Sequence, residues 1–379
     1  MMSDLADEKA TPGDVFQQIV DDDNMYRYLG SSGVSVSNIC LGTMTFGVNP
    51  LGRPGQCDEK LAHQIMDRYV KLGGNFIDTA NVYQFGLSEE IVGTWLTKQQ
   101  REKIVLATKM RFTMDTKNPN SNGLSRKNII WSLEESLKRL KTDYVDLYQI
   151  HAWDTATDIK ELLRTMDDLV RCGKVRYIGA SNVTGWQMQK IMDYCDFMGL
   201  NKWVSLQAQY SLLNRELELE LTDVCKNEGL GILPWSPLKG GWLTGKIKKD
   251  MTAPPPGSRI EFAEKNPNLK YQSHPNFKYG EDERVWKVVD ALEEVSKETG
   301  KSMSQIAIRW LIQQDTVSSV ITGVKTLEQL EDNMKAAKGW ELSKEQMKTL
   351  NKASYLTPPY PYEMIRRVNG GRKRTNWSK

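Results

Sequence analysis

The sequence predicts an α/β fold of the (β/α)8 TIM-barrel type, and three observations carry that expectation. Eight short apolar runs follow one another along the chain, and amphipathic stretches separate most of them. The first run is not followed by the Gly-x-Gly-x-x-Gly turn that an open doubly wound sheet normally carries there. It leads instead into Gly42-Thr43-Met44-Thr45-Phe46-Gly47. At 379 residues the chain is long for one domain, yet single α/β barrels routinely reach such lengths.

Taken in order, strands are expected at Asn38–Gly42, Asn75–Asp78, Ile104–Lys109, Tyr144–Ile150, Tyr177–Ala180, Val204–Gln207, Gly231–Pro234 and Val317–Thr322. They are short, and several are β-branched or aromatic, as parallel strands covered on both faces tend to be. Between them, Ser125–Leu140 repeats Ile129, Leu133, Leu137 and Leu140 at helical spacing. Ile159–Cys172 does the same with Leu162, Leu163, Met166, Leu169 and Val170. Gly173 and Gly229 stand where a helix must end before a strand. Thr252–Gly280, rich in Pro, Gly and Asn, is too long for a simple connection and reads as a binding loop.

The barrel is expected over residues 25–355. Residues 1–24 carry seven acidic groups against Lys9 and read as a mobile acidic tail. Residues 356–379 form a C-terminal extension with a basic cluster, Arg366, Arg367, Arg372, Lys373 and Arg374. A solvated tail is the simpler reading of that cluster than an anion contact or a localisation signal.

Composition narrows the function classes. A hydrophobic content of 39%, with 11 Trp, 14 Tyr and 8 Phe, excludes wholesale disorder. A net charge of +3 supplies no field for gripping nucleic acid. Five widely spaced cysteines without a Cys-x-x-Cys pair make neither a disulfide framework nor a zinc ribbon, and three histidines cannot build a His-rich metal site. No apolar run is long enough to span a membrane, and Met1–Asp23 lacks the apolar segment of a signal peptide. The expectation is a cytoplasmic protein with a small-molecule partner, no metal, no nucleic acid and no membrane, and with oligomeric state open.

Barrel chemistry gathers at the C-terminal ends of strands. Those ends read Asp78, Lys109 and His151 on three successive strands. Any one alone is more often a solvated cap; together they indicate a site. Asn75-Phe76-Ile77-Asp78-Thr79-Ala80 with Tyr83, Ala107-Thr108-Lys109 and Leu147-Tyr148-Gln149-Ile150-His151 resemble the Asp, Tyr, Lys, His tetrad of the aldo-keto reductases. Gly179-Ala180-Ser181-Asn182, Gln207 with Tyr210, Trp235-Ser236-Pro237-Leu238, and Gly323-Val324-Lys325 leading to Gln329 and Asn333 extend the resemblance from about Tyr26 to about Ala353. The Trp-Ser-Pro-Leu form and the long loop look closest to the branch containing bacterial general reductases and potassium-channel β subunits.

The resemblance implies NADPH-dependent reduction of aldehydes, ketones or quinones. Carbonyl reduction needs a hydride on carbon and a proton on oxygen. A free phenol, with a pKa of about 10, is a weak acid. Lys109 beside Tyr83 would favour the phenolate, Asp78 would fix Lys109, and His151 would donate a hydrogen bond to the substrate oxygen. For the cofactor, Trp235 offers a plane to stack on nicotinamide, and Ser181, Asn182 and Gln207 suit its carboxamide. Ser236, Leu238 and Gly240, with the helix that follows, offer hydroxyl and backbone N–H groups for pyrophosphate, Pro237 is a further implied cofactor contact, and Lys325, Gln329 and Asn333 fall at the adenosine end. Gly42, Thr43, Met44, Asp78 and Gly323 complete the implied cofactor set, with Lys246 and Arg259 as phosphate clamps. Classical members of the family place an Arg where this chain has Gln329, which shifts the 2′-phosphate contact to Lys325.

Phe46, Phe112, Trp153 and Tyr210, with Met44 and Tyr360–Tyr362, are the candidate walls of an apolar substrate mouth. Two alternatives stand beside the reductase. One is an NADPH-binding, redox-sensing regulatory subunit with slow or no turnover. The other is a Schiff-base barrel with Lys109 as nucleophile.

Overall fold

The structure is a computed structural model that describes residues 25–48, 56–266 and 277–371. The acidic stretch 1–24 and the basic residues Arg372, Lys373 and Arg374 lie outside the described residues. The described chain opens on an antiparallel hairpin, β1 (Tyr26–Tyr28) and β2 (Ser35–Ser37). Eight parallel strands follow: β3 (Ile39–Gly42), β4 (Phe76–Asp78), β5 (Val105–Met110), β6 (Val145–Ile150), β7 (Val175–Ser181), β8 (Ser205–Gln209), β9 (Gly231–Trp235) and β10 (Val320–Gly323).

The sheet order is β10-β3-β4-β5-β6-β7-β8-β9, so each strand lies beside its neighbour in sequence. The remaining seam, β9 to β10, is spanned by one bridge, Ile232 to Val317. There the Ile232 N–H donates to Thr316 O at 2.8 Å and the Ser318 N–H to Ile232 O at 3.0 Å. This is a nearly closed (β/α)8 barrel flanked by helices, as expected.

Caps define the helices. The Ser125 side chain accepts from the Asn128 N–H and starts Arg126–Leu140, and Asp158 does the same for Ile159–Arg171. Gly173 (φ 80°) and Gly229 (φ 72°) take the left-handed turn that releases the chain into the next strand. Two features depart from the expectation. Val317 bridges β9 instead of extending β10, so the last strand shortens to Val320–Gly323. The β1–β2 hairpin was not foreseen, because three-residue strands with exposed positions carry too little periodicity to read.

Along the barrel strands alternate residues face inward. At the N-terminal end of the barrel Cys40, Phe76, Val105, Ala107, Leu147, Val204, Leu233 and Ile321 form an apolar cluster, which Leu29 and Val36 of the hairpin complete. The hairpin turn requires a glycine at Gly30. Its φ is 56°, and a Cβ there would lie 2.2 Å from Val204 O.

At the opposite end, the loop after β9 contains the helix Arg259–Lys265 and returns through Phe277–Glu281. Trp242 holds that return, with ring centroids 6.4 Å from Phe277, 5.5 Å from Tyr279 and 6.0 Å from Trp286. The C-terminal extension carries the helix Tyr362–Asn369, where Tyr362 donates to Glu220 Oε1 and Arg366 to Glu218 O. No helix among the described residues is long and apolar enough to cross a membrane.

Candidate active site

The site is built where the inward positions turn polar. Two residues beyond buried Phe76, β4 ends on Asp78, and two beyond Ala107, β5 presents Lys109. Both are sealed from solvent, at 2% and 0% exposure. Lys109 Nζ donates to Asp78 Oδ2 at 2.6 Å and to Thr79 O at 2.7 Å. The other carboxylate oxygen, Oδ1, accepts from Gln207 Nε2 at 2.9 Å and from Gln149 Nε2 at 3.3 Å.

Tyr83 reaches this pair from a strained turn. Gln84 (φ 50°), Phe85 (φ 55°) and Gly86 (φ 99°) are successive left-handed residues, a conformation that side chains other than glycine's resist. Gln84 Nε2 donates to Met44 O at 3.2 Å and holds the turn against the loop after β3. The helix Leu87–Leu96 then locks it. Buried Glu89 accepts from Thr108 Oγ1 at 2.6 Å and pairs with Arg139 Nε at 2.8 Å. As a result Lys109 Nζ sits 4.9 Å from the centroid of the Tyr83 ring. The His151 imidazole meets that ring edge-on at 5.7 Å, with Phe112 beside it at 4.9 Å. The tetrad converges.

Its electrostatics differ in one respect from the expectation. Burial pushes the Tyr83 phenol above its ordinary value, and the Lys109 ammonium only partly offsets that. The phenol therefore stays protonated at neutral pH, which is the form that can give a proton away. Lys109 is raised, because Asp78 and Tyr83 together outweigh the burial that opposes its charge. His151 is held well below the ordinary histidine value, by burial and then by the Lys109 charge, so it is neutral at pH 7. Its Nδ1 has no partner within the protein.

The expected cofactor residues fall on one arc of the rim. Gly42 pairs in register with Gly323, and a Cβ on Gly42 would stand 2.8 Å from Ile321 Cγ2, so the close packing of β3 on β10 needs a glycine there. Thr43 hydrogen-bonds Asp78 O, and half-buried Met44 follows. Ser181 ends β7, and Asn182 (φ 53°) donates to His151 O at 2.8 Å and to Ser181 Oγ at 2.9 Å. Trp235 ends β9 with an indole N–H that has no partner in the protein.

Past Trp235 come Pro237 and Leu238, and Ser236, Lys239, Gly240 and Gly241 all take positive φ. The run closes on itself, since the Lys239 and Gly241 N–H groups donate to Ser236 O and Leu238 O, both at 2.9 Å. Lys239 within it was not foreseen. It is 7% exposed, and burial pulls its pKa down. A lysine directly after a Trp-Ser-Pro-Leu motif was the signal available in the sequence. Exposed Lys325 gives its N–H to Gln329 Oε1 at 3.0 Å, ahead of the Thr326-capped helix Leu327–Met334 that carries buried Asn333. Lys246 is exposed, and Arg259 opens the helix of the long loop. The unpartnered Trp235 N–H and the hydroxyl of Ser236 beside it offer polar groups of the kind a nicotinamide dinucleotide needs.

The candidate substrate walls divide. Phe112 and Trp153 are half-buried at the mouth, and Trp153 meets Trp186, an exposed ring that sequence reasoning passed over, at 6.1 Å. Phe46 and Tyr210 do not present a face there. Phe46 has no exposed surface, and Tyr210 turns inward to donate to Glu218 and pack on Trp310. Loop closure and core packing claim those two rings. Tyr360 is open to solvent, and Tyr362 is engaged with Glu220.

Comparison with known proteins accords with this geometry. The model of the Aldo/keto reductase family matches residues 38–354. An uncharacterized oxidoreductase, YrpG, of Bacillus subtilis is 38% identical over 86% of this chain and 94% of its own length. Norsolorinic acid reductase B of Dothistroma septosporum is 33% identical, over 90% of this chain and 84% of its own length. An aryl-alcohol dehydrogenase [NADP(+)] of Phanerodontia chrysosporium is 33% identical, over 87% and 86%.

Proposed function

The chain belongs to the aldo/keto reductase family, and from that premise we propose that this oxidoreductase uses NADPH to reduce aldehydes, ketones or quinones to alcohols. The observation that carries the reading is the sealed Asp78–Lys109 pair set against the Tyr83 ring, with a neutral His151 on the ring's edge.

NADPH, when bound, supplies the hydride. The chain's own residues then handle the oxygen. His151, neutral, orients and polarises the carbonyl through a ring N–H. Tyr83 gives its phenolic proton to the oxygen, and the Lys109 ammonium stabilises the phenolate left behind. Asp78 keeps Lys109 charged and in place. A protonated Lys109 is no nucleophile, which weighs against Schiff-base chemistry. Trp235 would cover the nicotinamide, Ser181 and Asn182 would hold its carboxamide, Ser236, Leu238 and Gly240 would take the pyrophosphate, and Lys325 the 2′-phosphate.

Phe112 and Trp153 suit a flat apolar substrate body, in keeping with a relative named for aryl alcohols. All five cysteines are free thiols, which suits a reducing, cytoplasmic setting. The test is NADPH oxidation against a panel of aromatic aldehydes, ketones and quinones, with the alcohol quantified. Stoichiometric alcohol is expected from at least one class. Tight NADPH binding without turnover on any of them would overturn the reading.

A further inference from the structure

The interior layer that holds Asp78 contains a group that the proton-transfer scheme does not use. Strand register pairs Lys109 with Gln149, Gln149 with Gly179, and Gly179 with Ser205, so four neighbouring strands place these residues in one row. Gln149 has no exposed surface, yet an amide buried in an apolar position would be costly. Its Nε2 donates to Asp78 Oδ1 at 3.3 Å, the oxygen that Gln207 also takes, while Lys109 takes the other.

Gly179 lets the strands pack closely in this row. A Cβ there would stand 2.4 Å from Ser205 Oγ, so the Ser205 hydroxyl takes the space that the missing side chain leaves, and Gln149 Cγ lies in ordinary contact at 3.4 Å. Gln149 Oε1 and Ser205 Oγ have no protein partner, so the donor Nε2 is the end of the amide that the protein engages.

We infer that Gln149 is a positioning residue for carbonyl reduction, acting through Asp78. Its N–H, with that of Gln207, fixes the plane of the carboxylate so that Oδ2 points at Lys109 and Lys109 at Tyr83. The inference rests on the reductase reading for its kinetic consequence but not for the contact itself.

The test is a double-mutant cycle. Gln149→Met keeps length and removes the donor; Gln149→Asn keeps the amide but falls short of Asp78 and guards against misfolding. Each is expected to lower kcat about tenfold, the scale of one hydrogen bond to a charged group, with KM and the NADPH Kd within about twofold of wild type. In an Asp78→Asn background the same substitutions should add less than about twofold.

The cycle is also read as melting temperatures of the ligand-free protein, which needs no turnover. Non-additive melting shifts are expected. Additive shifts, or equal kcat losses in both backgrounds, would overturn the positioning role, whether or not the wild type reduces any carbonyl tested. An inactive wild type with non-additive melting would sink the reductase reading and leave the Gln149–Asp78 contact standing.

Discussion

The two ends of the barrel interior are built from the same strands and behave as different materials. On β4, Phe76 and Asp78 are two residues apart on one face; on β5, Val105 and Ala107 precede Lys109; on β6, Leu147 precedes Gln149. The earlier member belongs to the apolar plug closed by Leu29 and Val36, the later to the polar layer around Asp78. The plug needs only volume and hydrophobicity, so its residues are interchangeable in kind. The polar layer needs each donor matched to an acceptor, because an unmatched one costs about 1–3 kcal/mol. Folding is secured at one end and chemistry is arranged at the other.

That contrast can be broken deliberately. Phe76→Ala removes a ring with no exposed surface from the plug, and it should cost about 3–5 kcal/mol of stability. The turnover of the molecules that remain folded should hardly change; denaturant melts and kcat per folded molecule check this, and a matching fall in kcat would erase the division. Tyr83→Phe should do the reverse. We expect a loss of at least about 10²-fold in carbonyl reduction with NADPH binding retained and little change in melting. Near-normal turnover would remove Tyr83 as proton donor.

Lys325→Ala, at the exposed end of the cofactor arc, should weaken NADPH about tenfold, the lower part of the range for a charge-assisted contact, and leave NADH unchanged. Titration of both cofactors decides it. Equal weakening would make Lys325 a shaping residue, and no weakening would pass the 2′-phosphate to Lys246, Arg259 or Lys239.

The smallest effect concerns pH. His151 is held well below its ordinary value in the folded protein, so the unfolded chain binds the proton first. Stability from this group is complete above about pH 6.5, the unfolded value, and declines as pH falls below it. His151→Gln should flatten that acid-side decline in a series of melts. An unchanged slope would mean that other groups set it.

Much of this was legible from residue order alone. Eight strands, the helices over Ser125–Leu140 and Ile159–Cys172, and the strand-end positions of Asp78, Lys109 and His151 follow from periodicity and turn chemistry, which are local. The hairpin β1–β2 escaped because its function is to fill the floor of a barrel built by distant residues. Phe46 and Tyr210 were read as mouth residues because an aromatic ring near a motif looks the same whether it lines a pocket or fills a core. Trp186 and Lys239 were missed for the opposite reason, since each resembles an ordinary helix or loop residue until its neighbours are known.

By itself, then, the sequence determined which residue types stand at the ends of which strands, because alternation along a strand and the right-handed crossover leave few ways to arrange them. Only the tertiary structure decided how those residues act on one another. The distances from Lys109 to Asp78 and to the Tyr83 ring depend on register between strands and on a left-handed turn at Gln84–Gly86. Burial, a property of the whole surrounding shell, raised the phenol of Tyr83 against the pull of the adjacent ammonium. Desolvation is summed over every neighbour, and no local stretch of chain contains that sum.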